Sequence, residues 1–258
     1  MNPKVWGDSG WVVLYTIANG YPQNPTPRDI HHYIQFYRYI QHVLPCHACS
    51  VHYGGHLKSI PIDPYLGSRD NLLTWVNRVH NTVCNQLGKK PVPRDQIDHK
   101  YLLRGREKWH HYWWKFMFSV SYAYPEKPKM DDMYHYQRFF IALQYVLPLK
   151  KDRDLYARIL TTNPINAYLI SPKYLTQWLI DTHNHFTIRH LQSEKQAYTV
   201  YFDKPDRELQ YPPRTGKVWL VDYFSDKEGQ NQDLRAKNVS LGVILIMMYL
   251  LNRGWRRK

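Results

Sequence analysis

Two cysteines separated by two residues, in Pro45-Cys46-His47-Ala48-Cys49, are the side chains best suited to carry chemistry in this chain. At the start of a helix such a pair meets free backbone N–H groups and the positive end of the helix dipole, which stabilise a thiolate and lower the pKa of the nearby thiol. Two intervening residues let the sulfurs close a small disulfide that exchanges readily with an incoming thiol. His47 adds favourable charge when protonated. The same spacing has other uses. Cys46, Cys49, His52 and His56 follow a Cys-x2-Cys-x2-His-x3-His rhythm with the ligand types of a tetrahedral zinc site, although ligands crowded so closely rarely converge without a loop between the pairs. A plain buried pair is a third possibility. A thioredoxin-like site needs a strand before the motif and a mixed sheet around it, and neither is visible. The remaining cysteine, Cys84, reads as a buried bystander ahead of a third redox thiol.

The elements that must hold this pair are helical. Between residues 28 and 44, apolar side chains recur at Ile30, Tyr33, Ile34, Phe36, Tyr37 and Ile40, the spacing of one helix face. Tyr21-Pro22 and Pro25-Thr26-Pro27 break the chain ahead of it. Pro45 ends this helix and suits the first turn of the next, which carries the cysteines. Leu72, Leu73, Val76, Val79, His80, Val83 and Leu87 make a further amphipathic helix, stopped by Gly88 and Pro91. No stretch alternates at a period of two, so the expected fold is all-α.

The chain also repeats itself. A shift of 103 positions, without a gap, lays Trp11 on Trp114, Tyr21-Pro22 on Tyr124-Pro125, Phe36 on Phe139, Val43-Leu44-Pro45 on Val146-Leu147-Pro148, Trp75 on Trp178 and His80-Asn81 on His183-Asn184. About two dozen positions agree over the matched stretch, too many for chance in a gapless register. The expected organisation is a first helical domain at 1–95, a degenerate copy at 104–192, a polar irregular segment at 193–238 and an apolar helix at 239–255. The copies differ where it matters: Cys46 to Cys49 are answered by Leu149-Lys150-Lys151-Asp152, and the second copy has no cysteine.

Composition bounds the rest. Hydrophobic residues make up 43% and charged residues 22% of 258, a globular balance that excludes disorder over most of the length. A net charge of +14 draws the chain to acidic partners. Three cysteines cannot staple a disulfide scaffold. No charged start followed by an apolar stretch marks a cleaved secretory signal. The apolar run at 239–251, ended by Arg253, Arg256, Arg257 and Lys258, is short for a spanning helix but could be extended by snorkelling arginines and Trp255. It is read as a possible membrane tail.

Over residues 4–90 the chain resembles the flavin-dependent sulfhydryl oxidases of the Erv/ALR family. The resemblance is carried by Trp6-Gly7, Trp11, Ala18, Tyr21-Pro22, Pro25-Thr26, Phe36, Pro45-Cys46-x-x-Cys49, His52-Tyr53, Leu72, Trp75, His80-Asn81-x-Val83 and Leu87-Gly88-Lys89. It implies a small helical bundle holding FAD, in which a dithiol substrate exchanges with a Cys46–Cys49 disulfide and two electrons pass to the flavin and then to oxygen, giving hydrogen peroxide. By family position Cys46 would face the substrate and Cys49 would lie against the isoalloxazine ring. Trp11, Tyr15, Asn77, His80, Asn81, Val83, Cys84 and Lys89 fall on positions that enclose FAD. Aromatic and imidazole faces suit a flavin or adenine ring, and a lysine suits a diphosphate. Two positions depart: Tyr15 stands where the family usually has His, and Cys84 where it usually has Asn.

No separate shuttle Cys-x-x-Cys is present, so the pair would meet a thiol-containing protein directly or draw on a thioredoxin-like carrier. The second copy is expected to supply a dimer-like surface within one chain, a pseudo-dimer with one active site. The sparse cysteines and degenerate copy favour a viral member acting in host cytoplasm or virion, with possible membrane association and no nucleic-acid partner. The alternative is a basic helical module that binds nucleic acid or membrane and holds zinc through Cys46 and Cys49.

Overall fold

The structure, a computed structural model, describes residues 1–193. The expected polar stretch beyond Ser193 and the apolar run at 239–255 lie outside the described residues. The chain divides into two units, Met1–Leu179 and Ile180–Lys258, of which the second is described only along the end of one helix.

Among the described residues every regular element is helical: α1 (Pro3–Asn19), α2 (Pro27–Val43), α3 (His47–Ser59), α4 (Arg69–Gln86), α5 (Leu103–Tyr122), α6 (Met130–Val146), α7 (Lys150–Thr162) and α8 (Pro172–Ser193), with short turns of helix at Asp63–Tyr65, Arg94–Gln96, Asp98–Leu102 and Ile165–Tyr168. The all-α expectation is met. None of these helices is long and apolar enough to cross a membrane.

Local sequence sets the boundaries. Asn2 caps α1 through a 3.0 Å bond from the Lys4 N–H. Thr26 and Asp29 form a reciprocal capping box at the start of α2, and Ser68 caps α4 through the Asn71 N–H. The end of α4 is a Schellman motif. Gly88 takes a φ of +64°, the Lys89 N–H reaches the Cys84 carbonyl at 2.8 Å and the Gly88 N–H reaches that of Asn85 at 3.1 Å. Two expectations need correction here. Pro45 lies outside α3, because Cys46 is its N-cap and His47 its first residue. Leu87 does not continue the buried face of α4 but is 62% exposed, since the helix has already turned out of register at its cap.

The internal repeat recurs as hydrogen bonds. Tyr21 donates its hydroxyl proton to the Leu66 carbonyl and Tyr124 to that of Leu169. Tyr53 donates to the Tyr37 carbonyl and Tyr156 to that of Phe140, each at 3.1 Å. The indole N–H of Trp75 reaches the Ile60 carbonyl at 2.8 Å, and that of Trp178 reaches Asn163 at 2.9 Å. Each pair is offset by the same 103 residues. A buried phenol or indole needs an acceptor, so these aromatics fix where α3 meets α2 and where α4 meets the end of α3, once in each copy.

The copies pack against each other, α1 on α5 and α2 on α6. Gly105 permits the close approach of α5 to α1, since a Cβ there would strike the Thr16 hydroxyl. On α2 and α6 the contacts obey an approximate twofold relation. Phe36 meets its own counterpart Phe139, with ring centroids 5.9 Å apart. The His32–Tyr145 stack and the His42–His135 stack, both at 3.6 Å, are images of one another.

Candidate active site

Cys46 sits in extended backbone at the N-cap of α3, and its Sγ accepts the Cys49 N–H at 3.2 Å. The two cysteines are joined in a disulfide with Cα atoms 5.1 Å apart. An N-terminal amide aimed at a sulfur stabilises negative charge there, so Cys46 is held where a departing or attacking thiolate is favoured. The redox reading of the motif is therefore the one the geometry carries. The zinc alternative needed Cys46, Cys49, His52 and His56 to converge; among the described residues no group of three or more His, Cys, Asp or Glu could hold a metal ion. Cys49 shares a helix face with Tyr53 and His56, four and seven residues on, both buried. Cys49 is thus on the face of α3 that carries these buried residues, Cys46 is at the helix N-cap, and both cysteines are half-buried.

A second group gathers from α1, α4 and the Asp98–Leu102 turn. Trp11 lays its ring on His80 with centroids 3.9 Å apart. Tyr15 stacks on Tyr101 at 4.7 Å, and Tyr101 meets the edge of His80 at 5.4 Å. The Tyr15 hydroxyl accepts from Asn77 Nδ2 at 3.3 Å, which leaves its own proton for His80 Nδ1 at 3.1 Å. Burial holds the Tyr15 phenol well above its ordinary pKa, so it keeps that proton. His80 is pushed down to about 4, first by burial and then by the fields of Lys100 and Lys89. Accordingly His80 is neutral, accepts at Nδ1 and carries its proton on Nε2. Tyr15, at the position where the family usually has His, therefore orients the imidazole of its neighbour.

Asn77 and Asn81 act as a brace. Both donate to the Val92 carbonyl at 3.0 Å, and Asn81 Oδ1 accepts the Val92 N–H at 2.8 Å. Their amides thereby fasten the segment after α4 alongside the aromatic group. Cys84 is buried, which raises its thiol pKa against the pull of Lys100 and Lys89. Val83 is half-buried on the same stretch of α4. Tyr101, Lys100 and Val92 join the site without a sequence motif that marks them. They lie beyond residue 90, outside the stretch that carries the resemblance, and the one sequence signal there is Lys100-Tyr101 itself, a cation beside an aromatic.

The depressed His80 pKa makes a prediction. Between about pH 6.5 and 4 the unfolded chain binds a proton that the folded chain does not, so this stability is complete above 6.5 and is lost as pH falls. By pH 5 the loss is about 2 kcal/mol. Urea unfolding at pH 7.5 and pH 5, compared with His80→Gln, isolates it: the variant loses less stability on acidification, and an identical loss in both chains would contradict the assignment.

In the second copy the same positions have changed. Asp152 occupies the register of Cys49; it is buried, and its carboxylate lies 3.0 Å from His110 Nε2. Phe118 replaces Tyr15, Ile180 replaces Asn77 and Thr187 replaces Cys84.

The model of the Erv1 / Alr family matches residues 8–102, a range that takes in both the disulfide and the aromatic group with Tyr101. The chain is 42% identical over 91 residues to a probable FAD-linked sulfhydryl oxidase of Acanthamoeba polyphaga mimivirus, covering 35% of this chain and 64% of that protein. It is 30% identical over 95 residues to an FAD-linked sulfhydryl oxidase of Arabidopsis thaliana, covering 37% of this chain and 49% of that one. The chain thus spans between about half and two thirds of the length of these two relatives. A putative FAD-linked sulfhydryl oxidase of Invertebrate iridescent virus 6 is 30% identical over 106 residues, which cover 39% of this chain and 96% of that protein. No solved structure matches the chain. With nearly the whole of the iridescent-virus relative covered, and with the matched residues being those that form the disulfide and the aromatic group, the chain belongs to the Erv1/Alr family.

Proposed function

We propose that this chain is an FAD-linked sulfhydryl oxidase that makes disulfide bonds in protein thiols. The observation that carries the reading is the Cys46–Cys49 disulfide at the open end of α3, with Cys46 capping the helix, in a chain of the Erv1/Alr family. A substrate thiolate attacks Cys46 Sγ, the Cys46–Cys49 bond breaks and Cys49 leaves as a thiolate. A second substrate thiolate then attacks the substrate sulfur of the mixed disulfide and releases Cys46. The substrate loses two electrons, and the enzyme pair gains them as two thiols. The helix N-terminus lowers the barrier by stabilising the thiolate released at Cys46.

The residues fit a flavin. Trp11, Tyr15, His80 and Tyr101 offer planar faces, and Lys89 and Lys100 put positive charge beside them, felt at both His80 and Cys84. Asn77, Asn81, Val83 and Cys84 complete the wall along α4. When bound, FAD supplies a two-electron acceptor that oxygen can re-oxidise with release of hydrogen peroxide.

The second copy serves as a pseudo-dimer partner with one active site per chain. The Phe36–Phe139 contact on the twofold relation supports this, and so does the buried Asp152 at the register of Cys49. A thiol-containing protein or thioredoxin-like carrier supplies electrons, in host cytoplasm or virion, with the apolar stretch at 239–255 as a membrane tail. Flavin absorbance against protein concentration tests the reading: one flavin per chain and the native mass of a single chain are expected. Two flavins per chain would defeat the one-site version, and a colourless chain with bound metal would overturn the oxidase reading.

A further inference from the structure

We propose that a groove beside Cys46 receives the polypeptide on either side of a substrate cysteine, and that the second copy of the repeat builds one of its walls. This rests on the thiol-oxidase reading and adds to it the surface and the residues that select a polypeptide over a small dithiol. The groove has a volume of about 330 Å³, within the range of a small ligand site. Leu44, Pro45 and Cys46 line one side, and Ala123, Pro125 and Asp132 line the other. The first three belong to the copy that carries the disulfide. The last three lie in the degenerate copy, at the end of α5 and the start of α6.

Three observations make this a site for a chain rather than for a thiol alone. First, Cys46, the N-cap of α3, lines the groove, and Cys49 does not. Attack on Cys46 therefore brings the substrate backbone into the groove. Second, the wall from the degenerate copy sets Ala123 and Pro125 beside Tyr122, Tyr136 and Asp132, the last already fixed as a cap acceptor for the Lys129 N–H at 2.9 Å. Such a wall gives an extended segment both apolar and polar contact over more length than a thiol alone occupies. Third, the related position at the other end of the twofold relation is packed. Gly20, the counterpart of Ala123, lies so near Pro148, the counterpart of Pro45, that a Cβ on it would stand 3.2 Å from the Pro148 Cα. The alanine methyl in place of hydrogen belongs to the side where the disulfide is kept.

A small dithiol needs only the sulfur; a protein thiol must also lay its neighbours along the wall. The test compares reduced ribonuclease A with dithiothreitol as substrates of the full chain. In Ala123→Arg the ratio of kcat/KM for the protein to that for the small dithiol falls about tenfold, with the change in KM for the protein. A second experiment does not depend on that variant folding. A peptide with a benzophenone residue beside its cysteine is trapped as a mixed disulfide on Cys46 in a Cys49→Ser chain and irradiated. Cross-links within residues 122–136 are expected, and cross-links confined to other segments would overturn the proposal. An unchanged selectivity ratio in a folded Ala123→Arg chain would overturn it as well. If the unaltered chain oxidised neither substrate, the oxidase reading would fall and the groove assignment with it; oxidation of both with no change of ratio defeats the groove alone.

Discussion

Replacing Cys49 by serine is expected to lower dithiol-dependent oxygen consumption by about three orders of magnitude or more, while the helices stay folded. The size of the effect follows from the order of bond changes. Cys49 is the leaving group when substrate attacks Cys46, and it shares a face of α3 with the buried Tyr53 and His56. Without it Cys46 is a lone thiol, which no substrate thiolate can attack productively. Cys46→Ser removes activity just as completely but for a different reason, and the two variants separate in one assay. Cys49→Ser can still be charged at Cys46 with a thiol reagent and hold it as a stable mixed disulfide. Cys46→Ser leaves Cys49, which lacks the helix-terminal amide that Cys46 Sγ accepts and should be charged much more slowly. An oxygen electrode measures the first effect and mass spectrometry the second. Activity within tenfold of the unaltered chain in either variant would mean that the electrons enter elsewhere.

The second large effect concerns stability. Phe139→Ala should destabilise the protein by about 3–5 kcal/mol, the usual cost of emptying a fully buried phenylalanine site. Phe139 is in the copy without redox cysteines, yet its ring lies on Phe36 of the copy that has them, and both are wholly buried. The cavity would open where α2 meets α6, so the loss should be felt on both sides. Urea unfolding followed by far-ultraviolet circular dichroism should give one transition at a lower midpoint, with the reactivity of the buried Cys84 thiol toward a thiol reagent rising in the same transition. If Cys84 became reactive at an unchanged urea concentration, the two copies would be separate folding units.

Much of this architecture was legible in the residues. The gapless offset of 103 locates helices, caps and aromatic anchors in both copies, because each anchor is a large aromatic whose polar atom must find a carbonyl. The Cys-x-x-Cys at a helix start was readable for the same reason: a proline, a cap position and a helical pattern follow one another in the chain. What escaped was set by tertiary neighbours. Pro45 belongs outside α3 because the Cys46 sulfur itself takes the cap, a role that sequence patterns assign to oxygen-bearing side chains. The bonds from the Asn77 and Asn81 amides to the backbone of Val92, more than ten residues away in the chain, have no local sequence signal. Tyr101 joins the site through a turn of helix with no periodicity to announce it. The groove wall at Ala123 and Pro125 could not be read from either copy alone, because it exists only where one copy faces the other.

In the proposed mechanism Cys46–Cys49 carries electrons from a dithiol to a flavin held beside α1 and α4. Anaerobic titration of the purified chain with dithiothreitol, followed at about 450 nm, tests it most directly. The unaltered chain should lose this absorbance after taking up two equivalents of dithiol, one for the disulfide and one for the flavin, and recover it with release of peroxide when oxygen is admitted; Cys49→Ala should keep the absorbance unchanged over the same period. An absorbance that dithiol bleaches equally fast in both chains, or does not bleach in either, would contradict the account.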